Sequence, residues 1–288
     1  MKDYLIRGIA ANGTVRAFAV DTTETVAHAA TIHGTYPVVT AALGRLLSAG
    51  AMMGSMMKGD DDVITLTIKG DGPIGNITVT ADSHGKVKGF AGNPAVDIPL
   101  KRPGKLDVGG AIGNGTLTVV MDLGLADPYN GMVELQTGEI GDDLAYYFTV
   151  SEQTPSAVGL GVMVDTDCSV KHSGGFIIQM MPDVAEETIA ALEDKLASIS
   201  SVTDMMEQGL SPEEILQELL GDLDLELTDR SPVEFYCNCS KERVSAALAT
   251  IQKSDIQEMI DEGKDVEIKC YFFNSSYTFG VDELREIL

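Results

Sequence analysis

Two short apolar-rich runs at residues 4–10 and 14–20 flank Asn12-Gly13, the dipeptide that most strongly favours a tight β-hairpin turn. Residues 23–33 and 38–57 then place Ala, Leu and Met at helical spacing. The second of these helices is predicted to end near Lys58-Gly59, where a basic last turn meets a capping glycine. Residues 63–69 switch to a period of two, with Val63, Thr65 and Thr67 alternating against Ile64, Leu66 and Ile68. Further strands are predicted at 77–81, 87–91 and 116–121, a helix at 142–151, and closing strands at 160–164 and 175–181. Strands interleaved with helices without a regular βαβ repeat predict an α+β fold for residues 1–182.

The texture changes at Pro182. Val184, Ile189, Leu192, Leu196 and Ile199 recur at helical spacing on a surface rich in Asp and Glu. Ser211-Pro212-Glu213-Glu214 combines an N-cap serine, a proline at the first helical position and a glutamate at the third, a capping box. Ile215, Leu216, Leu219 and Leu220 follow, Gly221 closes the helix, and Leu223, Leu225 and Leu227 alternate with acids. Residues 183–230 are thus expected to form a structured acidic linker with narrow apolar faces. Residues 231–288 form a third segment. It has a strand at 233–237, a helix capped by Ser240, a second capping box at Ser254-x-x-Gln257, a helix end at Gly263, a strand from Val266 to Phe272, a turn at 274–276 and a terminal helix at 281–287.

At 288 residues the chain is long enough for more than one core. No uninterrupted apolar run of membrane-spanning length is found, and the N-terminus enters a strand pattern with no signal-peptide core, so a soluble cytoplasmic protein is expected. Four cysteines in so long a chain do not describe a secreted disulfide scaffold. The net charge of −24 is uneven: residues 183–230 hold fourteen Asp and Glu against two Lys and Arg, a net of −12. Such a balance repels phosphate backbones and argues against nucleic acid as a partner.

Candidate chemistry concentrates in the last segment. Cys237 and Cys239 are separated by one residue, and Cys270 follows after the helical stretch. Thiolates so grouped either grip a soft metal or exchange into disulfides. Fewer than sixty residues make a marginal core without a staple, which a metal would supply. Cys168, in Asp165-Thr166-Asp167-Cys168-Ser169, lies at a predicted turn far along the chain and is read as an incidental thiol.

The Cys-x-Cys pair, its spacing to Cys270, and the tail Tyr277-Thr278-Phe279 with Asp282-Glu283-Leu284 resemble the redox-regulated bacterial heat-shock chaperones of the 33 kDa chaperonin family. Gly72-Pro73-Ile74-Gly75, Asn93-Pro94, the run from Val150 to Ser156, the run from Gly174 to Gln179 and the run from Gln208 to Glu214 extend the resemblance over nearly the whole chain. It implies a zinc-ribbon-like C-terminal redox switch, with zinc on four thiolates in the reduced, inactive state. Oxidation then forms disulfides and releases zinc, the small domain and linker lose structure, and an ATP-independent holdase captures unfolded or oxidatively damaged proteins, with dimerisation on activation. It implies no enzyme activity and no membrane or nucleic-acid partner. Cys237 and Cys239 match the first pair, as metal ligands and as a redox-active disulfide, and Cys270 matches the first thiolate of the second pair. Phe273 stands where the fourth thiolate belongs, so weakened zinc binding and easier activation are expected.

Other signals point elsewhere. Methionine pairs at 52–53, 56–57, 180–181 and 205–206 suit either core filling or a promiscuous apolar surface. Ser151-Glu152-Gln153 lacks a partnered histidine for nucleophilic catalysis. The glycines of 70–75 sit between strands, as a turn, rather than opening a phosphate-binding helix. A thiol–disulfide oxidoreductase using the Cys-x-Cys pair is the enzymatic alternative, and a zinc-ribbon adaptor the third reading.

Overall fold

The hairpin at Asn12-Gly13 forms, and both residues take the left-handed backbone such a turn requires, with φ of 55° and 83°. The computed structural model describes residues 2–288 and divides into two compact units, Met1–Phe235 and Tyr236–Leu288. In chain order the first unit contains β1 (Tyr4–Ala10), β2 (Val15–Asp21), α1 (Thr23–His33), α2 (Pro37–Gly54), β3 (Val63–Gly70), β4 (Asn76–Asp82), β5 (Lys86–Ala91), α3 (Val108–Ile112), β6 (Gly115–Asp122), β7 (Tyr129–Glu134), α4 (Gly141–Val150), β8 (Ser156–Val164), β9 (Val170–Met180), α5 (Glu186–Ser198), α6 (Val202–Glu207), α7 (Pro212–Leu220), β10 (Glu226–Pro232) and β11 (Glu234–Phe235). One sheet has the order β10-β1-β2-β9-β8 and the other β11-β5-β4-β3-β6-β7. The architecture is α+β, as the pattern predicts.

Helix α2 is the centre of this unit. It touches strands of both sheets and nearly every residue along it is buried, so its apolar character runs all the way round. By length and composition it could cross a bilayer, yet 89% of it is buried inside the unit, the place of a core helix. Close approach of the sheet to α2 requires glycine: a Cβ at Gly50 would lie 2.7 Å from a Val79 methyl. The helix stops earlier than the Lys58-Gly59 signal suggests. Gly54 lies against the Asp82 carbonyl, Ser55 Oγ donates to the Met52 carbonyl, and the Arg7 guanidinium donates to the Ser55 carbonyl. Tertiary contacts therefore end it one turn before the sequence cap.

The two faces of the five-stranded sheet bury different cores. Leu5, Phe18, Val20 and Ile177 join α2 and the six-stranded sheet in the main cluster. Their alternating neighbours Ile6, Ala17, Ala19, Phe176 and Ile178 face the other way, into a second cluster. That second face is covered by the acidic segment, through Leu192 of α5, Val202, Met205 and Met206 of α6, and Ile215, Leu216, Leu219 and Leu220 of α7. The capping box at the start of α7 forms in both directions: Glu214 N–H donates to Ser211 Oγ at 3.3 Å, and Ser211 N–H donates to Glu214 Oε2 at 2.8 Å. That hydrogen bond, with the one from the Ser211 hydroxyl, holds the Glu214 carboxyl below its usual range.

Strand β10 then pairs antiparallel with β1, Tyr4 opposite Pro232, and becomes the sheet edge. The three segments expected at 1–182, 183–230 and 231–288 thus fold as two units, because 183–235 completes the first. Few cations neutralise this cover. Lys195 pairs with Glu218 at 2.8 Å, Lys171 and His172 reach Glu207 at 2.6 and 2.9 Å, and Arg230 lies 3.7 Å from Glu213 while stacking over the Tyr4 ring. The Tyr4 hydroxyl donates to Glu213 at 2.5 Å, and burial together with that carboxylate pushes the phenol upward.

The second unit contains α8 (Lys241–Leu248), α9 (Lys253–Asp261), β12 (Val266–Cys270), β13 (Ser275–Phe279) and α10 (Val281–Ile287). Its core is small, with Leu248, Ile256, Ile260, Phe279 and Leu284 buried together. Ser240 caps α8 by accepting from Arg243 N–H, as expected. The second predicted capping box does not form. Helix α9 starts two residues earlier, Gln252 takes the cap position, and Ser254 Oγ donates to Asp255 instead.

Two outcomes follow from this packing. Leu216→Ala removes a fully buried anchor of α7 and is expected to cost about 2–5 kcal/mol, with faster amide exchange in α5–α7 before the rest of the first unit. Unchanged exchange there contradicts the assigned role. Asp3, buried at the start of α1, accepts from Glu24 and Thr25 N–H, yet burial pushes its carboxyl up to about 6. A folded value above the unfolded one, about 4, means that the stability it contributes is complete below the unfolded value and lost as pH rises through 6. An NMR titration of the Asp3 carboxyl carbon should have its midpoint near 6, and a midpoint in the ordinary aspartate range overturns this.

Candidate metal and redox centre

Cys237 and Cys239 lie in the loop leading into α8, and Cys239 directly precedes the Ser240 cap. Cys270 is the last residue of β12, opposite Ser275 of β13. The strand expected to run to Phe272 ends here because the chain turns through Tyr271–Asn274, with Asn274 in the left-handed region at φ 52°. This turn points the backbone N–H groups of Phe273 and Phe272 at the Cys270 sulfur.

The three sulfurs therefore converge, all within 4.8 Å of one another. Cys239 Sγ lies 2.9 Å from Cys270 Sγ, and Cys237 Sγ lies 3.8 Å from it. Neither distance is a bond, which needs about 2.05 Å, and all four cysteines of the chain are thiols. Cys270 is buried and the other two are half-buried. Burial, with the hydrogen bonds it shares with Cys270 and Cys237, pushes the Cys239 thiol up to about 12. Burial acts in the same upward sense on Cys270, but the Cys239 thiol and the two backbone amides overcome it and hold Cys270 below the ordinary thiol range. Cys270 is thus the group best prepared to be a thiolate.

Tyr277 belongs to this site, and sequence reasoning names it only as part of the tail that carries the family resemblance, with no role at the thiols. It stands on β13 opposite Ile268, and its phenol is pushed upward by desolvation and then by the three thiols. The two carboxylates of the tail, Asp282 and Glu283, are engaged elsewhere. Glu283 pairs with Lys241 at 2.5 Å and accepts from Gly280 N–H, and Asp282 holds Arg285 at 2.8 Å. Phe273 is 37% exposed and offers no donor atom. Among the described residues, the group of His, Cys, Asp and Glu able to hold an ion is Cys237, Cys239 and Cys270. Cys168 sits in the first unit, exposed at φ 69° in the turn between β8 and β9, with its N–H donating to the Asp165 carbonyl.

These residues fit three vertices of a metal site. Zinc–sulfur bonds of about 2.3 Å in a tetrahedron set sulfur–sulfur edges of about 3.8 Å. The Cys237–Cys270 separation matches that edge, and Cys239 has to draw back by about 1 Å to match it. A closed four-thiolate shell does not fit, because its fourth place holds Phe273. As for the tempting alternatives, Glu152 accepts from the Tyr147 hydroxyl at 2.6 Å, and residues 70–75 turn from β3 into β4 with Gly75 at φ 76°.

A family model described as Hsp33 protein matches residues 3–280. The 33 kDa chaperonin of Agathobacter rectalis is 59% identical over 287 residues, covering 100% of both chains. That of Lachnoclostridium phytofermentans is 54% identical over 288 residues, covering 100% of this chain and 99% of the relative. The crystal structure of the 33 kDa chaperonin (heat shock protein 33 homolog) from Thermotoga maritima superposes with a TM-score of 0.91 at 34% identity, covering 100% of this chain and 98% of that one. With the fold, the grouped thiols and these matches together, the chain belongs to the Hsp33 family of chaperones.

Proposed function

We propose that the protein is an ATP-independent holdase whose apolar surface is released by thiol oxidation. The observation that carries this reading is the convergence of Cys237, Cys239 and Cys270 on a unit whose own core is five side chains. Zinc held on these three residues would supply folding free energy that so small a core lacks, though less than the roughly 10–16 kcal/mol of four-ligand zinc-finger peptides. Reduced, the sulfurs join the loop before α8 to the end of β12. Oxidation by a peroxide forms one S–S bond from two thiols and yields two waters, and it leaves the third cysteine over. The family resemblance pairs Cys237 with Cys239. The geometry adds Cys239 with Cys270, which lie nearer than Cys237 and Cys270. Either bond removes two of the three donors, so metal retention and unit stability fall together.

The client surface in this reading is the sheet face formed by Ile6, Ala17, Phe176 and Ile178, now under α5–α7. Each large apolar side chain uncovered there represents about 1.5–3 kcal/mol of burial available to an unfolding partner. The methionines of α6, Met205 and Met206, belong to this layer and adapt readily to varied shapes. A switch whose thiols stay reduced until stress suits a reducing compartment, and in this reading the protein works in the cytoplasm. Oxidatively damaged proteins are the clients, and uncovered apolar faces of two activated copies are suited to pairing.

Peroxide-treated protein is expected to suppress aggregation of an unfolding client at stoichiometric ratio, and reduced protein to do so several-fold less. Equal protection by both states refutes redox control. Catalytic reduction of an added disulfide at substoichiometric protein would instead favour an oxidoreductase. Zinc is expected to be held weakly on three thiolates, so a mild chelator strips it from the reduced protein, whereas Phe273→Cys retains it and needs more oxidant for activation. One tightly retained zinc per unaltered chain overturns the weakened site.

A further inference from the structure

Three converging thiolates pose a different coordination problem from four. Zinc in structural sites completes a tetrahedron, and here the last vertex falls to water or another weak donor, because Phe273 supplies none and Asp282 and Glu283 are engaged elsewhere. A soft monovalent cation has no such requirement. Thiolate ligands select copper(I) by softness, and three sulfurs satisfy it without a fourth. A planar three-sulfur shell with bonds of about 2.3 Å has edges of about 4.0 Å. Cys237–Cys270, at 3.8 Å, is close to that edge, and Cys239, at 2.9 Å from Cys270, has to draw back by about 1.1 Å, as it does for zinc, so the missing fourth donor and not the edge length separates the two metals. Cys237 and Cys239 are half-buried, which leaves a path for the ion, while Cys270 is buried at the strand end and fixes the base of the site.

We propose that Cys237, Cys239 and Cys270 form a three-coordinate copper(I) site, and that Phe273 in place of a fourth thiolate shifts the metal preference of this centre away from zinc and toward monovalent copper. On loading, three thiols release their protons to solvent and three copper–sulfur bonds form. Copper stays monovalent, so no oxidant or reductant is consumed. The proposal rests on the three-sulfur centre of the preceding reading and not on holdase activity.

The test uses metal-free, reduced, full-length protein under anaerobic conditions, titrated with copper(I) against a chromophoric copper(I) chelator and separately with zinc against a zinc chelator. The expected result is one copper per chain with three sulfur neighbours in its X-ray absorption spectrum. Phe273→Cys is expected to tighten zinc by about 100-fold or more while changing copper(I) by less than about tenfold, and Cys270→Ser to weaken copper(I) by about 100-fold or more. A two-sulfur spectrum, copper(I) affinity unaffected by Cys270→Ser, or equal tightening of both metals by Phe273→Cys overturns the proposal. The absorption spectrum is taken on the unaltered chain, so the outcome does not depend on either variant folding. No client is present, so loss of copper binding and loss of chaperone response are read separately.

Discussion

An apolar sheet face lies under the most highly charged stretch of the chain, and the behaviour of the first unit depends on that cover. Burial of Leu192, Val202, Met205, Ile215, Leu216 and Leu219 against Ile6, Ala17, Phe176 and Ile178 favours the covered state. Opposing it is the crowding of carboxylates with few cations among them, a repulsion that falls off slowly where salt is low. The ion pairs present are exposed or nearly so, and such pairs contribute about 0–1 kcal/mol each. Apolar contact therefore holds the cover, and charge works against it.

The second unit has the opposite deficit: it is not overcharged but underfilled. Leu248, Ile256, Ile260, Phe279 and Leu284 cannot by themselves order three short helices and a two-stranded hairpin. On the proposed reading, a metal held by the sulfurs between the loop before α8 and the end of β12 would compensate, and its hold would respond to chemistry rather than to temperature alone. The backbone amides of Phe272 and Phe273 prepare Cys270 for the anionic state that either a metal or an oxidant needs.

Much of this was legible in the residues. Asn12-Gly13 specified its hairpin, Thr23–His33 and Val281–Ile287 appear with the expected bounds, and the Ser211 capping box is complete in both directions. Local patterns failed where distant chain decides. Helix α2 ends where Gly54 meets Asp82, not where a local cap invites it. The Gly-rich α3 and the polar-faced β7 carry too little periodicity to be seen. Leu223, Leu225 and Leu227 alternate with acids inside the expected acidic linker, but the strand at Glu226–Pro232 is defined by pairing with β1, more than two hundred residues away in sequence. At the site, spacing identified the three cysteines and the family resemblance the missing fourth, while the amide contacts to Cys270 depend on a turn geometry that spacing does not encode.

The five-stranded sheet carries separate apolar clusters on its two faces, and this division has a mechanical meaning. It works as a bulkhead: stripping the outer layer floods one compartment and leaves the other dry. Arg7 rivets the inner side through its contact with the Ser55 carbonyl, which does not involve Asp229, 4.0 Å away on the edge strand. Loss of the outer layer would on this division leave the inner core packed, so the covered face is the part of the unit that can be given up without dismantling the rest.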